Sequence, residues 1–142
     1  MGAFSLFGFT EQLLELSMRV RGARHEMLSS NIANADTPGY RARDIDFQKL
    51  MQSAAELDDT SKATREEQME AMLNAPLDMA NASYEITAPY GGGGEDRLDG
   101  NNVSLDQQIG LMNENALSYE ASLTLLSRVL GKLRYAISEG KA

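Results

Sequence analysis

The chain has 142 residues, no cysteine, 42% hydrophobic but only 6% aromatic residues, and a net charge of −8. That length suits one ordinary domain, and the absence of thiols excludes a disulfide framework or a thiolate metal site. The acidic balance leaves no basic face to replace the counterions of a nucleic acid.

The charge is unevenly placed. Residues 1–50 carry six acids and six bases and residues 101–142 four of each, whereas 51–100 carry eleven acids and three bases. Near-neutral ends can pack against other copies without large repulsion, while an acidic middle suits solvent. No stretch approaches the ~20 apolar residues that cross a bilayer. The start, Met1–Phe9, has no basic region, long apolar run or A-x-A site, so it is not expected to be a cleaved secretory signal.

The spacing predicts a first helix from Thr10 to about Ala33. Leu13, Leu16, Val20, Ala23 and Met27 recur at 3, 4, 3 and 4, a coiled-coil seam, and Leu14, Met18, Leu28 and Ile32 widen the apolar face beyond one partner. Thr10 is the expected cap, with Glu11 in the first turn. Pro38 then disfavours helical geometry at Thr37, and Pro38-Gly39 is the expected centre of a type II turn. Arg41 to Asp46 alternates as an extended stretch does. Its two carboxylates, Asp44 and Asp46, are better explained by local ion pairing with Arg41 and Arg43 than as a hydrolytic pair.

The middle is less determined. Thr64 with Glu67 makes a capping box that opens a short helix ended by Pro76. Tyr84–Thr87 suits a short strand or extended contact, and Gly91–Gly94 reads as a hinge. Met51, Met69, Met72 and Met79 suit adaptable packing.

A long second terminal helix is the strongest expectation. Leu105, Ile109, Met112, Ala116, Tyr119, Leu123, Leu126, Leu130, Leu133 and Ile137 alternate steps of 4 and 3, a seam of roughly 50 Å at 1.5 Å per residue. Ser104 with Gln107 forms a capping box at its start. Asp96, Asp99, Asn101 and Asn102 suit a polar turn and do not match a calcium loop. The lone His25 cannot build a zinc site, and no nucleophile elbow or phosphate loop is present. No enzyme activity and no cofactor is therefore expected. The fold class is all-α dominated: an elongated antiparallel pair of long terminal helices with an irregular, partly flexible middle.

The segment Ala33-Asn34-Ala35-Asp36-Thr37-Pro38-Gly39-Tyr40 resembles the N-terminal signature of the flagellar rod and hook axial protein family, A-N-x-x-T-P-G-Y. Asp44-Ile45-Asp46-Phe47, Asp99–Asp106 and Asn115–Tyr119 extend the likeness toward the proximal rod branch, over roughly residues 10–50 and 97–138. The resemblance implies three parts: a helix and signature loop over 1–50, an acidic flexible region over 51–100, and a long helix over 101–142 that pairs with the first.

It also implies a structural subunit of the proximal rod, joining the MS ring to the rest of the rod and transmitting torque. Its partners would be other rod subunits, copies of itself, a FliE-like MS-ring adaptor and the flagellar type III export apparatus, with no small-molecule substrate. The location implied is the basal body, reached without signal cleavage. By resemblance, Asn31, Asn34, Asp36, Thr37, Pro38, Gly39 and Tyr40 form an inter-subunit loop. The alternatives are another proximal rod subunit such as FlgC, or a cytoplasmic coiled-coil adaptor or export chaperone, which needs no Thr37–Tyr40 loop.

Overall fold

The computed structural model describes residues 8–56, 62–74 and 97–139, and these residues form four helices and no strand. They are α1 (Phe9–Ala33), α2 (Phe47–Glu56), α3 (Lys62–Asn74) and α4 (Leu105–Glu139). The residues expected to form a strand at Tyr84–Thr87 and a hinge at Gly91–Gly94, and Met79, lie outside the described residues.

Helix α1 starts one residue before Thr10. Gly8 is its N-cap and supplies no side-chain bond; its carbonyl accepts the amides of Glu11 and Gln12 at 3.1 and 3.2 Å. Helix α3 likewise begins at Lys62, two residues before the expected capping box. Helix α2 occupies a stretch with no expected helix. Asp46 starts it, its side chain accepting the Lys49 amide at 2.9 Å and its carbonyl the Leu50 amide at 3.2 Å. The signal was present in Phe47, Leu50, Met51 and Ala54, which fall on one helical face.

The hydrophobic core joins α1, α2 and α3. Leu16, Val20 and Met27 of the α1 seam are buried with Ile45, Leu50, Ala54, Met69 and Leu73. Leu13, Ala23, Phe47, Met51 and Met72 pack around them. On the second strip Leu28 is fully buried, while Leu14, Met18 and Ile32 are half-buried. No residue of α4 belongs to this core.

Helix α4 nevertheless runs along α1 in antiparallel sense. Asn31 meets Gln108, Arg21 meets Asn115, and Glu11 lies in one groove with Leu130, so position rises on one helix as it falls on the other. Both helices bury polar side chains, Gln12, Ser17 and Asn31 on α1 and Gln108, Asn115 and Ser122 on α4, and Met18 shares a groove with Tyr119, Leu126 and Leu130. No described helix is long and apolar enough to cross a membrane.

Truncating the two apolar sets should therefore have unequal effects. Leu16→Ala is expected to cost about 2–5 kcal/mol, while Leu123→Ala changes the stability of the free chain by no more than about 0.5 kcal/mol. Urea denaturation of the monomer measures both, and equal losses would contradict this division of the core.

Candidate functional site

The α1 exit is a clasp built from asparagines. Asn31, with no exposed surface, donates through Nδ2 to the Arg43 carbonyl (2.6 Å) and to Gln108 Oε1 (2.8 Å). Its Oδ1 accepts the Arg43 amide (3.0 Å) and the Tyr40 hydroxyl (3.1 Å). Asn34 Nδ2 donates back to the Ser30 carbonyl at 2.8 Å, and Thr37 Oγ1 donates to Asn34 Oδ1 at 3.2 Å. Thr37 to Tyr40 then closes a turn, the Tyr40 amide reaching the Thr37 carbonyl at 3.2 Å with Gly39 at φ 71°. Positive φ at the third residue is what a type II turn requires, and glycine takes it without Cβ strain.

A second turn, Arg97–Gly100, locks onto the first. The Gly100 amide donates to the Arg97 carbonyl at 2.7 Å, with Gly100 at φ 77°. The Gly39 amide donates to the Asp99 carbonyl at 2.8 Å, and the Asn102 amide to the Tyr40 carbonyl at 3.4 Å. At the centre is Asn101, fully buried, whose Nδ2 lies 3.1, 3.0 and 2.8 Å from the carbonyls of Asn34, Ala35 and Thr37. Its Oδ1 accepts the Val103 amide at 2.7 Å. Asn102 Oδ1 accepts the Ala42 amide at 2.7 Å, and α4 begins directly after Ser104.

The loop residues thus divide into two sets. Asn31 is buried, Asn34 and Tyr40 are half-buried, and all three are spent on internal bonds. Asp36, Thr37, Pro38 and Gly39 form the exposed edge, beside fully exposed Leu98.

Asp44 pairs with Arg24 across the fold, through both carboxylate oxygens at 2.6 Å. That bond raises the Arg24 pKa, outweighing burial. Where local pairing with Arg41 and Arg43 was expected, Asp44 thus has a partner on α1. The guanidinium of Arg21 lies 3.9 Å over the Phe47 ring. Its pKa is lowered, first by burial and then by the neighbouring charge of Arg24. Arg21 Nε and Asn115 Oδ1 are buried with no hydrogen-bond partner among the described residues. No group of three or more acidic or histidine side chains among the described residues is placed to hold a metal.

The terminal seams end up in different surroundings. Leu16, Val20 and Met27 are buried and Leu13 is half-buried, all against α2 and α3. On α4, Met112 and Leu126 are half-buried, whereas Leu105, Ile109, Tyr119, Leu123, Leu130, Leu133 and Ile137 are 38–69% exposed. Buried Asn101, Gln108, Asn115 and Ser122 recur every seventh residue. That heptad line was readable in the sequence, but a search for apolar periodicity passes over it.

The family model described as flagella basal body rod protein matches residues 21–41, the second half of α1 and the clasp turn. The chain is 33% identical over 129 residues to the flagellar basal body rod protein FlgB of Salmonella typhimurium, covering 87% of this chain and 89% of that one. It is 33% identical over 128 residues to the FlgB of Escherichia coli, with the same coverage, and 29% identical over 136 residues to that of Proteus mirabilis, covering 94% of each.

Substituting Asn101 tests the clasp. Asn101→Asp removes both donors and sets a buried carboxylate among three carbonyls, so the folded state should lose about 3 kcal/mol or more. Asn102→Asp keeps the oxygen that accepts the Ala42 amide and should cost less than about 1 kcal/mol. Thermal melts of both variants make the comparison, and similar melting points would contradict the central role of Asn101.

Proposed function

We infer that this chain, which belongs to the family of flagellar basal body rod proteins FlgB, polymerises through the uncovered face of its long C-terminal helix. It is a structural subunit of the flagellar basal body rod, and it assembles there with other rod components. One observation carries the reading of how it assembles: α4 buries the polar side chains of Gln108, Asn115 and Ser122 while Leu105, Leu117, Leu123, Leu125, Leu130 and Leu133 keep 38–70% of their surface exposed. A helix buried in its own subunit does the reverse, and a contiguous apolar strip of this size on a folded chain marks an interaction surface.

In this reading the α1–α2–α3 core keeps the subunit folded, and the α4 strip supplies shallow, repeated helix-packing contacts to neighbours. The exposed edge of the clasp, Asp36 to Gly39, supplies the inter-subunit loop. Many such contacts distribute torque without any single site bearing it. The neighbours proposed are further copies, a FlgC-like rod subunit and, at the MS ring, a FliE-like adaptor. Delivery is through the flagellar type III apparatus without signal cleavage.

Deletion of the gene, followed by swimming assays and electron microscopy of basal bodies, tests the role. The expected phenotype is non-motile cells with MS rings but no rod, restored by the wild-type gene and not by a Leu123→Glu, Leu130→Glu variant that still folds. Motile deletion cells with intact basal bodies would refute it, and a cytoplasmic adaptor would take its place.

A further inference from the structure

The groove between the N-terminal half of α1 and the C-terminal half of α4 has a specific opening. Met18 and Gly22 of α1 face Tyr119, Leu126 and Leu130 of α4 across it, with Glu11 and Glu15 on the α1 rim. Arg19 also stands on this rim, engaged within the chain. The groove encloses about 580 Å³. A Cβ built on Gly22 would meet nothing within 4 Å. Glycine in mid-helix weakens that helix relative to alanine, and no neighbour within the subunit accounts for one here. A surface glycine lining an apolar groove does let a second helix approach closely.

Beyond this groove α4 runs on past the start of α1. Residues 131–138 are all exposed, and this end combines Leu133 and Ile137 with Lys132 and Arg134. Apolar side chains flanked by positive charge complement an apolar groove rimmed by two glutamates.

We propose that the projecting end of α4 from one copy seats in the α1–α4 groove of another, with Lys132 and Arg134 opposite Glu11 and Glu15. The proposal rests on the rod-subunit reading and supplies one of its contacts. The two surfaces lie at different places on the chain, so the contact is heterologous. Each copy offers an end and receives one, and such a contact extends into an open helical assembly when the rotation does not close. Gly22 then provides the room for the incoming helix. Leucines on the seated segment exchange water for the groove wall, as in helix-in-groove recognition.

The absence of cysteine makes the contact directly testable. The Asn115–Arg21 bond sets the antiparallel register, so Met18, three residues before Arg21, lies level with Ser118 and Tyr119. Leu133 lies fourteen residues further along α4, so it is displaced by about 20 Å at 1.5 Å per residue. A disulfide needs Cα atoms within about 7 Å, and one chain carrying Met18→Cys and Leu133→Cys cannot close it internally. Expressed in the deletion strain, this variant should give covalent dimers and longer ladders of the chain in basal bodies on non-reducing gels. Reductant should abolish them, and neither cysteine alone should produce them.

Monomer only, in cells that swim, overturns the contact while leaving the rod role intact; loss of the deletion phenotype itself would overturn the rod role. If the cysteine variant does not restore swimming, charge reversal decides. Lys132→Glu with Arg134→Glu should abolish motility, and adding Glu11→Lys with Glu15→Lys should restore at least a third of wild-type swimming. Retained motility in the first variant, or no recovery in the second, also overturns it.

Discussion

The orientation of α4 follows from a line of buried polar side chains. Asn101, Gln108, Asn115 and Ser122 lie at seven-residue intervals, and three of them bond to the region of α1 and its exit loop. Ser122 satisfies itself on the Ser118 carbonyl. Such a seam is weakly stabilising: each hydrogen bond contributes about 1 kcal/mol net, and Asn115 Oδ1 remains unpaired. What a polar seam supplies is a definite register, because a slip by one turn strands several buried donors at once. Turning this line inward sets its i+4 neighbours Met112, Tyr119 and Leu126 at the margin of the contact with α1, only partly covered, and leaves Leu117 and Leu125 outward.

The clasp makes so weak a seam workable. Gly39 and Gly100 sit back to back, with a Cβ on Gly100 falling 3.6 Å from the Gly39 Cα. Their two turns exchange backbone hydrogen bonds just before α4 begins. The start of α4 is thereby fixed against the end of α1, and docking the next few turns becomes an intramolecular event with a high effective concentration. Distance from the clasp weakens this advantage. On the α1-facing side of α4, Gln108 and Asn115 are nearly inaccessible and Leu126 and Val129 half-buried, and residues 131–138 are exposed where α4 runs past the start of α1. The Arg24–Asp44 ion pair, which shares a cavity with Leu111, Glu114 and Ser118 of α4, reinforces the arrangement by tying the stretch leading to α2 onto α1.

Much of this was legible in the amino-acid sequence. The two terminal helices announced themselves through sustained 3–4 spacing, and the turn at Thr37–Tyr40 through Pro-Gly chemistry. Helix α2 escaped because an alternating pattern from Arg41 to Asp46 suggested continued extension, and because Asp46 was weighed as a charge and not as a cap. The Asp44–Arg24 bond escaped because local sequence places Arg41 and Arg43 nearer. The apolar periodicity of α4 identified a face, but periodicity is silent about whether that face meets the same chain or another. If the α4 face meets neighbours as proposed, the sequence carries the packing of the assembly as well, and its hydrophobic pattern exceeds what one copy buries. The polar line at 101, 108, 115 and 122 carried the missing information.

The same division limits when assembly can occur. Fully burying one leucine gains roughly 1.5–3 kcal/mol, and these residues are already about half covered. Association costs on the order of 4–15 kcal/mol in lost translational and rotational freedom. Two copies meeting along a single strip therefore gain little over that cost. A subunit that reaches a growing end meets several neighbours together and loses that freedom only once, so its contacts add. The acidic excess of residues 51–100 raises the threshold further for chance encounters in solution, where like charges face one another without a scaffold to space them. In the proposed assembly, shallow contacts, a polar internal seam and a charged middle thus work in the same direction: the α1–α2–α3 core holds the subunit's own fold, and firm binding is left to a partly built rod that already holds the neighbours in place.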